Sequence, residues 1–141
     1  MDVLDAESSP ETHAIIGAAL RVHQVFGPGF LESAYHDALA IEFRNRGIPF
    51  RHEVPIPIEY CGERIATCYR ADFVAHESIL LELKAVATLT KVEEAQVVHY
   101  LKATGFETGL LLNFGSTSLQ VRRLTNRVRK SNGLEGSPES P

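Results

Sequence analysis

In the run Ile79-Leu80-Leu81-Glu82-Leu83-Lys84-Ala85, a carboxylate and an amine stand two positions apart among apolar residues. A strand alternates its side chains between two faces, so Glu82 and Lys84 share one face while Leu81 and Leu83 share the other. Ionisable groups in an apolar strand are costly unless they are paired or bound to a metal. The preceding stretch, Arg70-Ala71-Asp72-Phe73-Val74, offers a second acid ahead of a short loop through His76-Glu77. An antiparallel hairpin there sets Asp72 beside Glu82. Two carboxylates with a lysine alongside suit a hard divalent cation such as magnesium. A cation so held polarises a phosphoryl oxygen and acidifies an attacking water, while lysine can orient that water or stabilise developing negative charge. The alternative is a structural Glu–Lys pair on an exposed strand face.

Further polar groups fall at helical spacing. Glu32, Tyr35 and His36 lie at i, i+3 and i+4, on one face just after Gly29, which permits a tight turn. A first-turn glutamate is also what the helix dipole favours on its own. Tyr35 reads as an orienting hydrogen-bond partner or core aromatic beside the substrate. Gln96 and Tyr100 lie at i, i+4; the amide can donate to a phosphate oxygen, and the phenol can donate or stack on a base. A half-buried polar pair at a helix–sheet contact fits them equally well. The histidines at 13, 23, 36, 52, 76 and 99 are scattered, without an H-E-x-x-H spacing, and read as no metal pattern. His23 reads as a hydrogen-bonded core residue, whereas His36 faces the same way as Glu32.

Elements that can position these groups follow from periodicity and punctuation. Ser9 can cap and Pro10 can open a helix whose apolar positions are Ala14, Ile15, Ala18, Ala19, Val22 and Phe26. Gly27-Pro28-Gly29 interrupts it, and a second helical segment runs from about Phe30 to Arg46, closed by Gly47. Phe50–Tyr60 reads as a strand, with Pro55 and Pro57 marking an edge. Cys61-Gly62-Glu63 turns it back into Arg64–Val74, and Ile79–Ala85 forms the third strand. Thr90-Lys91-Val92-Glu93 has capping-box spacing and starts a helix from 91 to about 104, ended by Gly105. Gly109–Phe114 and Leu119–Leu124 complete the set as strands. The expectation is an α/β fold, a central mixed β-sheet flanked by helices in the order α-βββ-α-ββ. Residues 1–8 form an acidic flexible leader, 9–130 one domain, and 131–141 a disordered tail.

Asp72 followed by Glu82-Leu83-Lys84 resembles the PD-(D/E)XK nuclease signature. Gly29-Phe30-Leu31-Glu32-Ser33-Ala34-Tyr35 matches the motif that names the GxxExxY proteins, a family similar to that nuclease superfamily. The likeness continues through Tyr69-Arg70-Ala71-Asp72, Glu82–Ala85, Gln96 to Tyr100 and Gly109–Gly115, covering about 12–124. The resemblance implies a restriction-endonuclease-like core in which Asp72 and Glu82 hold Mg²⁺ or Mn²⁺. It adds the Leu83 carbonyl as a further ligand, Glu32 as a third acid and Lys84 as the residue serving the water. Gln96 and Tyr100 resemble a Q-x-x-x-Y motif near substrate. One departure is Ala71, where the signature has proline before its aspartate.

The 141 residues suit one domain, and 44% hydrophobic with 23% charged residues permits a packed core. Cys61 and Cys68 cannot build a disulfide framework. No apolar run approaches the roughly 18 residues of a membrane span, and the acidic start is unlike a signal peptide, so a cytoplasmic location is expected. The net charge of -4 argues weakly against nucleic acid, but it is unevenly spread. Residues 116–130 carry Arg122, Arg123, Arg127, Arg129 and Lys130 without an acid, a stretch that can meet phosphates or remain solvated. The first reading is therefore a magnesium-dependent nuclease hydrolysing nucleic acid, DNA before RNA, with a homodimer or a larger protein partner possible. The alternatives are a non-cleaving nucleic-acid or protein interaction module, and a metal-dependent hydrolase of small phosphorylated substrates.

Overall fold

The computed structural model describes residues 9–126, so the leader 1–8, the tail 131–141 and the bases Arg127, Arg129 and Lys130 lie outside the described residues. The elements are α1 (Pro10–Phe26), α2 (Glu32–Arg46), β1 (Phe50–Tyr60), β2 (Glu63–Ala75), β3 (Ile79–Lys84), α3 (Lys91–Thr104), β4 (Thr108–Asn113) and β5 (Gln120–Thr125). Local chemistry accounts for their ends. Ser9 caps α1 by accepting from the Thr12 N–H at 3.1 Å. Thr90 and Glu93 form the reciprocal capping box at α3, and Gly105 ends that helix in the left-handed region.

The start of α2 departs from expectation. Phe30 and Leu31 stay outside the helix, which begins at Glu32 without a side-chain cap. Tyr35 explains this: its hydroxyl donates to the Gly27 carbonyl at 2.6 Å and accepts from the Phe30 N–H at 3.2 Å. The turn is thus pinned from the helix it leads into, and Glu32 is delivered at the first helical position.

The five strands form one sheet in the order β1-β2-β3-β4-β5. All neighbours are antiparallel except β3 and β4, which run parallel and are joined by α3. Proline-bearing β1 is an edge strand, as its composition requires. One face of the sheet, with Phe73, Leu81, Leu83, Leu110 and Leu112, packs on α1 and α2. The other, with Ala71, Leu80 and Leu111, packs on Val97, Tyr100 and Leu101 of α3. Beyond this core β1 and β2 continue as a hairpin closed by Cys61 and Gly62, both at positive φ, the pattern of a two-residue I′ turn. Both cysteines are exposed and free. Among the described residues no helix is long and apolar enough to cross a membrane.

Candidate active site

The register of β2 with β3 pairs Ala75 with Ile79, Val74 with Leu80 and Phe73 with Leu81. One step further, Asp72 faces Glu82, and there the backbone ladder gives way to side chains. The Leu83 N–H donates to Asp72 Oδ2 at 2.7 Å, and the Asp72 N–H donates to Glu82 Oε1 at 3.0 Å. Each carboxylate therefore satisfies the backbone of the other's strand, which fixes both groups while the strands part around them.

This arrangement is electrostatically expensive. Glu82 is only 4% exposed. Burial, then the neighbouring Asp72 charge, pushes its carboxyl up to about 8 from an ordinary 4.5. Burial also holds Asp72 above its usual range, against the opposing pull of the Leu83 N–H, His36, Lys84 and His52. Lys84 lies half-buried at the end of the same strand and draws both acids down. Two desolvated, mutually repelling carboxylates with an oxygen-only donor set are the condition that a divalent cation relieves, so the residues present fit Mg²⁺ or Mn²⁺. Leu83 contributes backbone here, its side chain being buried on the opposite face.

Helices bring further groups to the pair. Glu32 is exposed at the start of α2, close enough for its charge to raise Glu82. On α3, Tyr100 is 5% exposed, and burial followed by the charges of Glu82 and Asp72 pushes its hydroxyl up to about 12. It stays a proton donor throughout the working range. Gln96 lies half-buried one turn earlier on the same face. Tyr100 packs against Tyr69 of β2 with ring centroids 4.8 Å apart. Tyr69 then opens onto a groove of about 600 Å³ between the hairpin and α3, where Arg64 and Lys102 outnumber Glu59 and His99 adds a polar ring.

Two sequence expectations need correction or extension. Tyr35 is the orienting core aromatic that was expected and not the substrate contact also expected of it: it is fully buried, stacks on Phe114 at 4.8 Å and spends its hydroxyl on the Gly27–Phe30 turn. Helical spacing gave its direction but not its depth. Two of the histidines scattered in sequence meet in space: His36 Nδ1 lies 3.1 Å from His52 Nε2, and His36 Nε2 lies 3.6 Å from Asp72 Oδ2. His23 does bond to backbone, at the Ser116 carbonyl. Asn113 fell within the Gly109–Gly115 likeness but was given no role there. Its buried amide bonds Val86 N–H and C=O, each at 2.9 Å, and so clamps the chain leaving β3 just after Lys84. Of the basic stretch, Arg122 is engaged with Glu94 on α3 at 3.3 Å.

Comparison with known proteins decides the family. The model of the PD-(D/E)XK nuclease superfamily matches residues 9–124. The chain belongs to the PD-(D/E)XK nuclease superfamily. Members of this superfamily generally use divalent metals, in keeping with the donor set above. Among solved structures, the crystal structure of SSO0001 is similar, with a TM-score of 0.52 and 20% identity over 76% of this chain and 56% of that one. The shared fold is the restriction-endonuclease-like α/β core expected of a PD-(D/E)XK chain. This PD-(D/E)XK chain thus spans little more than half the length of that neighbour. No curated protein sequence matches it.

Proposed function

We propose that this chain is a divalent-metal-dependent phosphodiesterase that hydrolyses nucleic acid, DNA before RNA. Asp72 and Glu82, with the Leu83 carbonyl, hold Mg²⁺ or Mn²⁺, and Glu32 assists from α2. A bound divalent ion supplies Lewis acidity at the phosphoryl oxygen and a more acidic water. Lys84 orients that water and offsets negative charge beside the two acids. Gln96 and Tyr100 donate to the substrate backbone, and Tyr69 offers a face on which a base stacks where the groove begins. The observation that carries this reading is the reciprocally bonded pair of buried Glu82 and half-buried Asp72, whose cost a cation would meet. The cationic lining of the adjoining groove favours a polyanion over a small phosphorylated substrate.

Calorimetric titration with Mg²⁺ and Mn²⁺, followed by assays on labelled single- and double-stranded DNA and RNA, tests it. Asp72→Asn and Glu82→Gln keep the side-chain shapes and are expected to lose both metal binding and cleavage. Lys84→Met is expected to keep metal binding while lowering turnover by about 100-fold or more. Glu107→Gln, at an exposed position, is the control. Metal binding without cleavage of any polymer would sink the nuclease reading, and folded wild type that binds neither metal would sink the catalytic one.

A further inference from the structure

We propose that His36, His52 and Glu53 form a second metal site, for a borderline transition-metal ion such as Zn²⁺, at the rim of the carboxylate pair. One ligand atom from each of these residues lies within 4.8 Å of the others. The two imidazole nitrogens, His36 Nδ1 and His52 Nε2, are 3.1 Å apart. Two nitrogens at ordinary Zn–N lengths on a tetrahedral ion stand about 3.3 Å apart, so the pair needs little adjustment to share one. Their donor chemistry differs from that of the Asp72–Glu82 pair. Imidazole selects zinc, cobalt, nickel or copper, whereas an all-oxygen set selects magnesium or manganese.

The backbone is bent to produce this convergence. His52 and Glu53 are consecutive in β1, and an extended strand would send their side chains to opposite faces. Glu53 instead sits at φ 54, a left-handed conformation uncommon for a residue with a Cβ. The β1–β2 register pairs His52 with Phe73 and Val54 with Ala71, so the deviation falls opposite Asp72. Ring orientations are also set. His52 stacks face to face on Phe73, centroids 4.4 Å apart and planes within 6°. His36 turns its second nitrogen towards Asp72 Oδ2, 3.6 Å away. A carboxylate behind a ligating histidine fixes its tautomer and raises its basicity. With the His36 proton on Nε2, towards Asp72, His36 Nδ1 accepts from His52 Nε2–H at 3.1 Å, and a metal ion would take the place of that shared proton. His52 then needs only the Nδ1–H tautomer to offer its own. Three protein ligands leave a fourth position open, as in zinc sites that bind a water or a substrate oxygen. Such a position would take a water or a phosphate oxygen.

The test is metal binding, so it stands or falls apart from nuclease activity. Zn²⁺ is titrated by calorimetry with Mg²⁺ held in excess, and Co²⁺ by its visible d–d absorption. Wild type is expected to take up a single equivalent of either ion. His52→Gln and Glu53→Gln, each removing one ligand at the surface, are expected to abolish the Co²⁺ band and weaken Zn²⁺ at least tenfold. Asp72→Asn should weaken it by about 10- to 100-fold through His36. Glu107→Gln and His99→Gln, both at exposed positions, should leave it unchanged. Thermal melts establish that each variant is folded, and should one substitution fail to fold, the other decides. Folded wild type without Zn²⁺ uptake, or the same affinity in His52→Gln and Glu53→Gln as in wild type, overturns the proposal.

Discussion

Glu82 shows how much of the chemistry was written in residue order. An acid in the run Ile79–Ala85 demands a partner on energetic grounds; strand alternation places it on one face with Lys84, and the hairpin from β2 brings Asp72 beside it. The same group gives a prediction free of any assumption about substrate. Its carboxyl rises from 4.5 to about 8 on folding, so between those values the folded chain binds more protons than the unfolded one. Metal-free stability is therefore highest below about pH 4.5 with respect to this group, and it falls as pH rises through about 8. Glu82→Gln removes the cost of ionising the site and should flatten this dependence, leaving the variant more stable than wild type at pH 8. Urea unfolding at several pH values in chelator reads the difference. Identical slopes against pH in the two proteins would mean that Glu82 is not the group responsible. What residue order could not show was depth and long-range meeting. Tyr35 had the right face but lies in the core, and His36 found His52 across sixteen positions through a strand whose kink no spacing rule contains.

Elements were legible wherever a local rule closes them. The Thr90–Glu93 box and Gly105 delimit α3 within the sequence itself, and Ser9-Pro10 does so for α1. The start of α2 was two residues off because the deciding interaction, the Tyr35 hydroxyl on the Gly27–Phe30 turn, is tertiary. The seating of α3 on the sheet has its own signature at Gly109. This glycine of β4 lies against α3 so closely that a Cβ would meet Val97 Cγ1 at 2.8 Å and a Leu101 methyl at 3.3 Å. Glycine-to-alanine changes in compatible backbone usually stabilise by about 0.4–1 kcal/mol. Here the β-branched Val97 has little freedom to yield, so α3 must move instead. Gly109→Ala is expected to destabilise by about 1–3 kcal/mol. Because α3 also carries Gln96 and Tyr100, any shift should reach the site. Denaturant unfolding measures the first effect and Mg²⁺ affinity the second. A stabilised Gly109→Ala protein would show that α3 is less tightly seated than the Val97 contact requires.

At the scale of the whole molecule, charge is the quantity that composition misjudges. A net charge of -4 predicts repulsion from a polyanion, yet the acids and bases occupy different regions. Three acids, Glu32, Asp72 and Glu82, gather where a divalent cation would offset them, while Arg64 and Lys102 line the groove between the hairpin and α3. The hairpin itself was legible from its turn, but the groove was not, because it needs the crossover to set α3 beside β1 and β2. If a nucleic-acid strand follows the groove, Arg64 and Lys102 each neutralise a phosphate and release a counterion. The logarithm of affinity should then fall linearly with the logarithm of salt, each contact adding about 0.7 to the slope for a single strand and about 0.9 for a duplex. Arg64→Ala and Lys102→Ala should each make the slope shallower by one such increment, weaken binding alike for all sequences, and leave Mg²⁺ affinity unchanged. Binding measured in Ca²⁺, to keep substrate intact, over a series of salt concentrations gives the slopes directly. Unchanged slopes in both variants would move the substrate path off this groove, whereas loss of Mg²⁺ affinity would show that these substitutions disturb the carboxylate pair rather than the strand lying beyond it.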